Sequence, residues 1–149
     1  MFKQYRIGFD VWGLVLFLVI MLPNFIWFAV PPLHDPLRAE SITATLNTIA
    51  SVCQVLLVAS LCLLINKESE KIGVGPSSIA VIACCLLYYL SWLLYYLVVA
   101  NVFVILALTM FPCLAFVFFA INRKNMIALV FALSFALCHL AYGIINYIV

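Results

Sequence analysis

From Ser77 to Asn122 the chain carries no Asp, Glu, Lys or Arg. As a single helix rising about 1.5 Å per residue, this stretch would be more than twice as long as the ~30 Å hydrocarbon core of a bilayer. It must therefore fold back, and few residues in it allow a turn. Asn101 is the best of them, because its short amide can cap the helix that follows. The uncharged stretch thus predicts two membrane-crossing helices, at 77-98 and 102-121.

The rest of the chain supports a lipid-solvated protein. Apolar residues make up 69% of the 149 positions and charged ones 8%, and the mean hydropathy is +1.31. Soluble domains are about half apolar and about a quarter charged. The first apolar run, 9-30, follows Lys3 and Arg6 and so has the flanks of a signal peptide. It is long for that role and ends in Pro31-Pro32 rather than a small-residue cleavage site. It reads as a retained first helix, with Trp12 and Trp27 near its ends where aromatic belts form. Asp35-Pro36 is a helix-start signal, with Glu40 near the positive end of the helix it would open. A second helix is expected from Pro36, outside the bilayer, with its apolar span at 44-65. Lys67, Glu68, Glu70, Lys71 and the breaker Gly73-Val74-Gly75-Pro76 make the next turn, and Asn122-Arg123-Lys124-Asn125 the last. The fifth span is 126-147. The expected fold is an all-α, polytopic integral membrane protein: one domain over 1-149, a bundle of about five transmembrane helices.

With the N-terminus in the cytoplasm, every basic residue except Arg38 lies on the cytoplasmic side, as the positive-inside rule requires. The C-terminus is then outside. Asp10 would sit at the cytoplasmic end of the first helix and reach water.

Inside lipid, polar side chains are the informative ones. Thr43, Asn47, Ser51 and Gln54 recur at helical spacing on the second helix. Ala128, Ala132, Ala136, His139, Gly143 and Asn146 do so on the fifth, and Tyr88, Ser91 and Tyr95 share a face of the third. Together with Asn24, the residues Asn47, Ser51, Gln54, Tyr88, Ser91, Tyr95, His139 and Asn146 reach the outer half or the middle of the membrane. They are the expected lining of a small outward-opening polar pocket. The competing reading is helix–helix glue, at roughly 0.6 kcal/mol per bond, and the sequence favours it. His139 is the least ordinary member, since imidazole can carry protons near neutral pH, but no acid lies deep in a span beside it. The heptad echo Leu86-Leu87-Tyr88-Tyr89-Leu90 and Leu93-Leu94-Tyr95-Tyr96-Leu97 reads as a packing seam. Pro112 predicts a kink in the fourth helix.

Cys53, Cys62, Cys84, Cys85, Cys113 and Cys138 all lie within apolar runs, without CxxC or Cys/His ligand spacing, and read as packing residues. His34 beside Asp35 is too little for a metal site. No elbow motif or catalytic set supports an enzyme, no basic patch supports nucleic-acid binding, and no cofactor is implied. The expected function is an accessory or interaction role through helix–helix contacts, with the lipid bilayer and a membrane-protein partner or a homo-oligomer as its company. The alternative is a small transporter or channel subunit, homodimeric, using the outer pocket. Size and basic-residue bias suggest a bacterial plasma membrane.

Overall fold

A computed structural model describes residues 4–33, 35–38, 42–69, 75–97 and 101–147. The expectations for Lys3, His34, Glu40, Glu70, Lys71 and Gly73-Val74 lie outside the described residues. Five helices are long and apolar enough to cross a membrane: α1 Val11–Ala29, α2 Ala44–Leu63, α3 Pro76–Tyr96, α4 Val102–Asn122 and α5 Met126–Tyr147. Three begin at side-chain caps. Asp10 accepts from the Trp12 N–H at 3.0 Å, Asn101 from Val104 at 3.0 Å and Asn125 from Ala128 at 3.1 Å. Pro76 opens α3, where its missing N–H is no loss. Where the sequence suggests a helix starting at Pro36, the structure has only a 3-10 turn, Pro36–Arg38. Asp35 caps no α-helix there because its carboxylate is committed to side chains of other elements, described below.

The far end of α2 also departs from a purely helical expectation. Residues 64–66 leave the helix as a short strand, β2 (Leu64–Asn66), antiparallel to β1 (Tyr5–Ile7), with Tyr5 opposite Asn66 and Ile7 opposite Leu64. The reason lies in the helix end. The last carbonyls of a helix have no intrahelical donor, and an unsatisfied group in or near lipid costs several kcal/mol. Here the N-terminal segment supplies donors: Gly8 N–H bonds the Leu63 carbonyl at 3.1 Å and Asp10 N–H the Cys62 carbonyl at 2.8 Å. Asn125, 2% exposed, gives its amide to the Ser60 and Leu64 carbonyls at 2.9 and 2.8 Å. Gly13 of α1 lies over the Leu61 carbonyl, where any Cβ would come within 3.0 Å of the oxygen.

α4 is the most buried helix and packs between α3 and α5; α5 packs on α2, while α1 rests on α2 and only lightly on α3. Ala128 and Ala132 of α5 and Ala115 and Ala120 of α4 are fully buried. Such small residues let backbones approach. The approach is closest at Gly143, whose Cβ, were there one, would sit 2.7 Å from the Thr109 methyl. α4 runs unbroken through Pro112. The cysteines are all free thiols.

In α1, proline has a visible consequence. Pro23 has no N–H to give the Val19 carbonyl. The Tyr89 hydroxyl of α3 replaces it at 2.7 Å, so the helix break is satisfied across the bundle. The Tyr88-Tyr89 and Tyr95-Tyr96 echo in α3 is thus used residue by residue. Tyr88, Tyr89, Tyr95 and Tyr96 each bond a different point on α1 or the segment after it.

Candidate functional site: a cavity shared by all five helices

A cavity of about 250 Å³ lies in the half of the bundle that holds the C-terminal ends of α1, α3 and α5. Every helix contributes to its wall: Asn24 from α1, Gln54 from α2, Tyr88 and Trp92 from α3, Thr109 and Pro112 from α4, Phe135 and His139 from α5. Trp27, Tyr142 and Tyr147 complete an aromatic rim, with Leu37 above. Among the described residues no Asp, Glu, Lys or Arg lines it.

The polar groups differ in how well they are satisfied. Asn24 donates to its own helix at Ile20 (3.0 Å) and to the Tyr88 hydroxyl (2.7 Å), and its carbonyl oxygen makes no bond to a described residue. The Thr109 hydroxyl is spent on the Ile105 and Leu106 carbonyls. The Gln54 amide reaches only the Met21 sulfur, at 3.9 Å, a weak acceptor. His139 stacks on Phe135, ring centres 5.0 Å apart and 18° from parallel, and makes no hydrogen bond to a described residue. The buried Trp92 indole N–H lies near the Tyr88 hydroxyl but has no partner at full hydrogen-bonding geometry among the described residues. Trp92 itself is held edge-on by Tyr88 and Tyr95, with ring centres at 6.4 and 5.6 Å. Pro112 offers no N–H to the Leu108 carbonyl, and both residues line the cavity.

The Asp35–Arg38 turn, between α1 and α2, roofs the cavity. The Asp35 carboxylate accepts from the Tyr95 hydroxyl at 2.6 Å and the Trp27 indole at 2.9 Å, and pairs with Arg38 at 3.3 Å. Tyr95, 1% exposed, also accepts the Leu37 N–H at 3.3 Å, and Tyr147 donates to the Leu37 carbonyl at 3.1 Å. Arg38 lies over the Trp27 ring, 5.3 Å from its centre. α1, α3 and α5 therefore all hold the Asp35–Arg38 turn down. The opposite end of the bundle is closed differently. Asp10, expected to reach water, is 6% exposed and bound by Arg123 through both Nε and Nη2. Burial follows because the same carboxylate caps α1 and its backbone is tied to α2.

The structure brings together Asn24, Gln54, Tyr88 and His139 of the residues the sequence singles out. Tyr95 belongs to the roof. Asn146 accepts from Ile42 N–H and donates to Thr43 Oγ1 and the Tyr142 carbonyl, so it ties α5 to the start of α2. Ser91 is buried but bonds Leu87 in its own helix. Asn47 and Ser51 are exposed on the outside of the bundle, with Ser51 bonded to the Asn47 carbonyl. Helical geometry explains the split. Each step of four advances about 400°, so from Thr43 the face drifts about 40° to Asn47 and about 80° to Ser51; the step of three returns Gln54 to about 20°. Of the buried residues of this helix, Ala50 and Leu57 lie about 20° and 40° to the other side of Thr43, and Leu61 lies in line with it. Sequence reasoning missed Trp27, Trp92, Tyr142, Tyr147 and Asp35. Trp27 reads from sequence as an interfacial residue and Asp35 as a helix cap.

Among the described residues no three His, Cys, Asp or Glu side chains gather as a metal ion would require. In comparisons with known proteins, the chain matches no protein-family model, no curated protein and no solved structure.

Proposed function

We propose that this five-helix membrane protein binds a small, uncharged, ring-bearing ligand in the roofed cavity. The observation that carries the reading is the convergence on one space of the Gln54 amide, which meets only a thioether, the His139 ring, which bonds no described residue, and Trp92, whose buried N–H is unpartnered among the described residues. A buried polar group without a partner costs about 1–3 kcal/mol, and in lipid there is no water to repair it. Helix glue would have paired these groups, as it does Asn24 with Tyr88. This favours the transporter-like alternative over the accessory role, which rests on size and composition. The volume falls below the ~300–1,000 Å³ of drug-sized sites, so the ligand is small. An aromatic wall without a charged side chain suits a planar neutral molecule that both donates and accepts hydrogen bonds.

The positive-inside pattern supports a cytoplasmic N-terminus and an external C-terminus, which puts the roof on the outer face; size and basic bias fit a bacterial plasma membrane. A reporter active only in the cytoplasm, fused after Val149, should stay silent, and a periplasm-only reporter should be active. The reverse result overturns the orientation and moves the roof to the inside.

The binding test is native mass spectrometry of gently extracted protein beside its His139→Leu variant. The wild type should retain a small-molecule adduct. The variant, its melting temperature held within a few degrees, should bind that molecule at least about tenfold more weakly, the loss of one good hydrogen bond. A variant that only melts lower makes the cavity a packing feature. A second protein retained in place of the small molecule favours the accessory role.

A further inference from the structure

A second opening in the bundle lies where α1 rests lightly on α3. It is a groove of about 430 Å³, almost wholly apolar, walled by Val15 and Val19 on one side and Val81, Ile82 and Leu86 on the other. One end is shut by the Tyr89–Val19 hydrogen bond. The other end, at Ser78 and Asn122, which bond each other at 2.7 Å, lies toward the N-terminal segment. Next to it is a distinct polar cavity of about 370 Å³, lined by Arg6, Ser69 and Arg123 beside Asp10. Trp12 is common to both and is 57% exposed.

We propose that groove and polar cavity form one site for an anionic phospholipid, with its phosphate at Arg6 and Ser69 and one acyl chain in the α1–α3 groove past Trp12.

Length and width fit a single chain. From Ser78 to Tyr89 the groove follows α3 for roughly 16 Å, about half of the ~30 Å hydrocarbon core and so the depth of one leaflet. The 430 Å³ volume spread over that length leaves a cross-section of roughly 27 Å², the scale of one extended chain and well below that of a helix about 10–12 Å across. Charge fits the headgroup. Asp10 and Arg123 neutralise each other, whereas Arg6 is exposed and forms no ion pair with a described residue. Lys67 stands beside it in an adjoining cavity that again includes Ser69. Basic residues on this side are what membrane topology alone requires. Topology does not require an apolar groove one leaflet deep that shares a wall tryptophan with their cavity. A basic recess between helices at this level suits an anionic headgroup. This site is separate from the roofed cavity, and either can fail without the other.

The test is lipid titration in native mass spectrometry, with phosphatidylglycerol and phosphatidylcholine of identical chains added to delipidated wild type, Arg6→Gln and the groove-filling Val81→Phe. The expected result is at least fivefold preference for phosphatidylglycerol in the wild type. Arg6→Gln, on an exposed side chain, should reduce the preference to near one while leaving the melting temperature unchanged. Val81→Phe should lower retention of both lipids. Equal retention of the two lipids by the wild type overturns the proposal and makes the groove part of the ordinary lipid annulus. Displacement of phosphatidylglycerol by glycerol phosphate alone also overturns it, since the chain would then add nothing. So does a dimer that Val81→Phe dissociates, which would make the groove a contact between copies.

Discussion

Replacing Asp10 by Asn is expected to destabilise the protein by about 3 kcal/mol, the lower end of the range for breaking a buried ion pair from one side. The substitution isolates charge. Asn is as good a helix cap as Asp, so the bond to the Trp12 N–H survives, and so do the backbone ties to α2. What is lost is the charge that faces the Arg123 guanidinium, whose side chain is 14% exposed. The lower end applies because that exposure leaves Arg123 a route to the interface. Thermal unfolding in a single mild detergent measures the loss. Adding Arg123→Gln to the variant should recover more than half of it, because the pair is then neutral on both sides. If the two substitutions add instead, the pair contributes little and the N-terminal segment is held by its backbone bonds and by the Tyr5 hydroxyl, which accepts from Met126 N–H.

The second large effect is expected at the opposite end. Asp35→Ala removes the acceptor for Tyr95 and Trp27 and the partner of Arg38. Hydrogen bonds to a charged group are worth about 1.5–3 kcal/mol each, but the Arg38 side chain is 45% exposed, so its share is small. A total near 3 kcal/mol is expected, concentrated in the roof rather than spread through the bundle. Hydrogen exchange separates the two cases. The Leu37 amide, held by Tyr95, and the C-terminal turn of α1 should exchange at least about tenfold faster, while α4 is unchanged. Tyr95→Phe should show the same pattern at smaller size, because Trp27 and Arg38 still hold the carboxylate. Uniform acceleration across all helices would mean that Asp35 supports the whole fold and the roof does not open by itself. If the cavity binds its ligand from the roofed side, Asp35→Ala will also speed ligand release.

The two acidic residues are instructive together. Both stand just before a helical segment, and both look from sequence like residues at a water-facing helix end. For Asp10 the cap is real, but the sequence gives no hint that Arg123, from the α4–α5 turn, closes over it. For Asp35 the capping signal is present and is overruled by Tyr95 and Trp27, which approach from other helices. Capping is a local property, and a charge withdrawn from water goes to the strongest partners that packing supplies. The polar stripe on α2 shows the same limit in a different form. Spacing of three and four marks a broad face, and only packing on α5 decides that Gln54 looks inward while Asn47 and Ser51 look outward.

What the chain determines by itself is set by its apolar runs and by the backbone. Runs of apolar residues of bilayer length, interrupted at Asn101, at the loop ending in Pro76 and at Arg123-Lys124, leave α-helices as the only way to satisfy the peptide groups. The number of helices and most of their ends therefore follow without reference to contacts. Tertiary structure alone decides which polar groups remain unpaired. Asn24 meets Tyr88 and Tyr89 meets the carbonyl freed by Pro23, whereas Gln54, Trp92 and His139 are left facing a shared space. Hydrogen bonds across helices depend on rotation and depth to within an ångström, and a hydropathy pattern does not carry that precision.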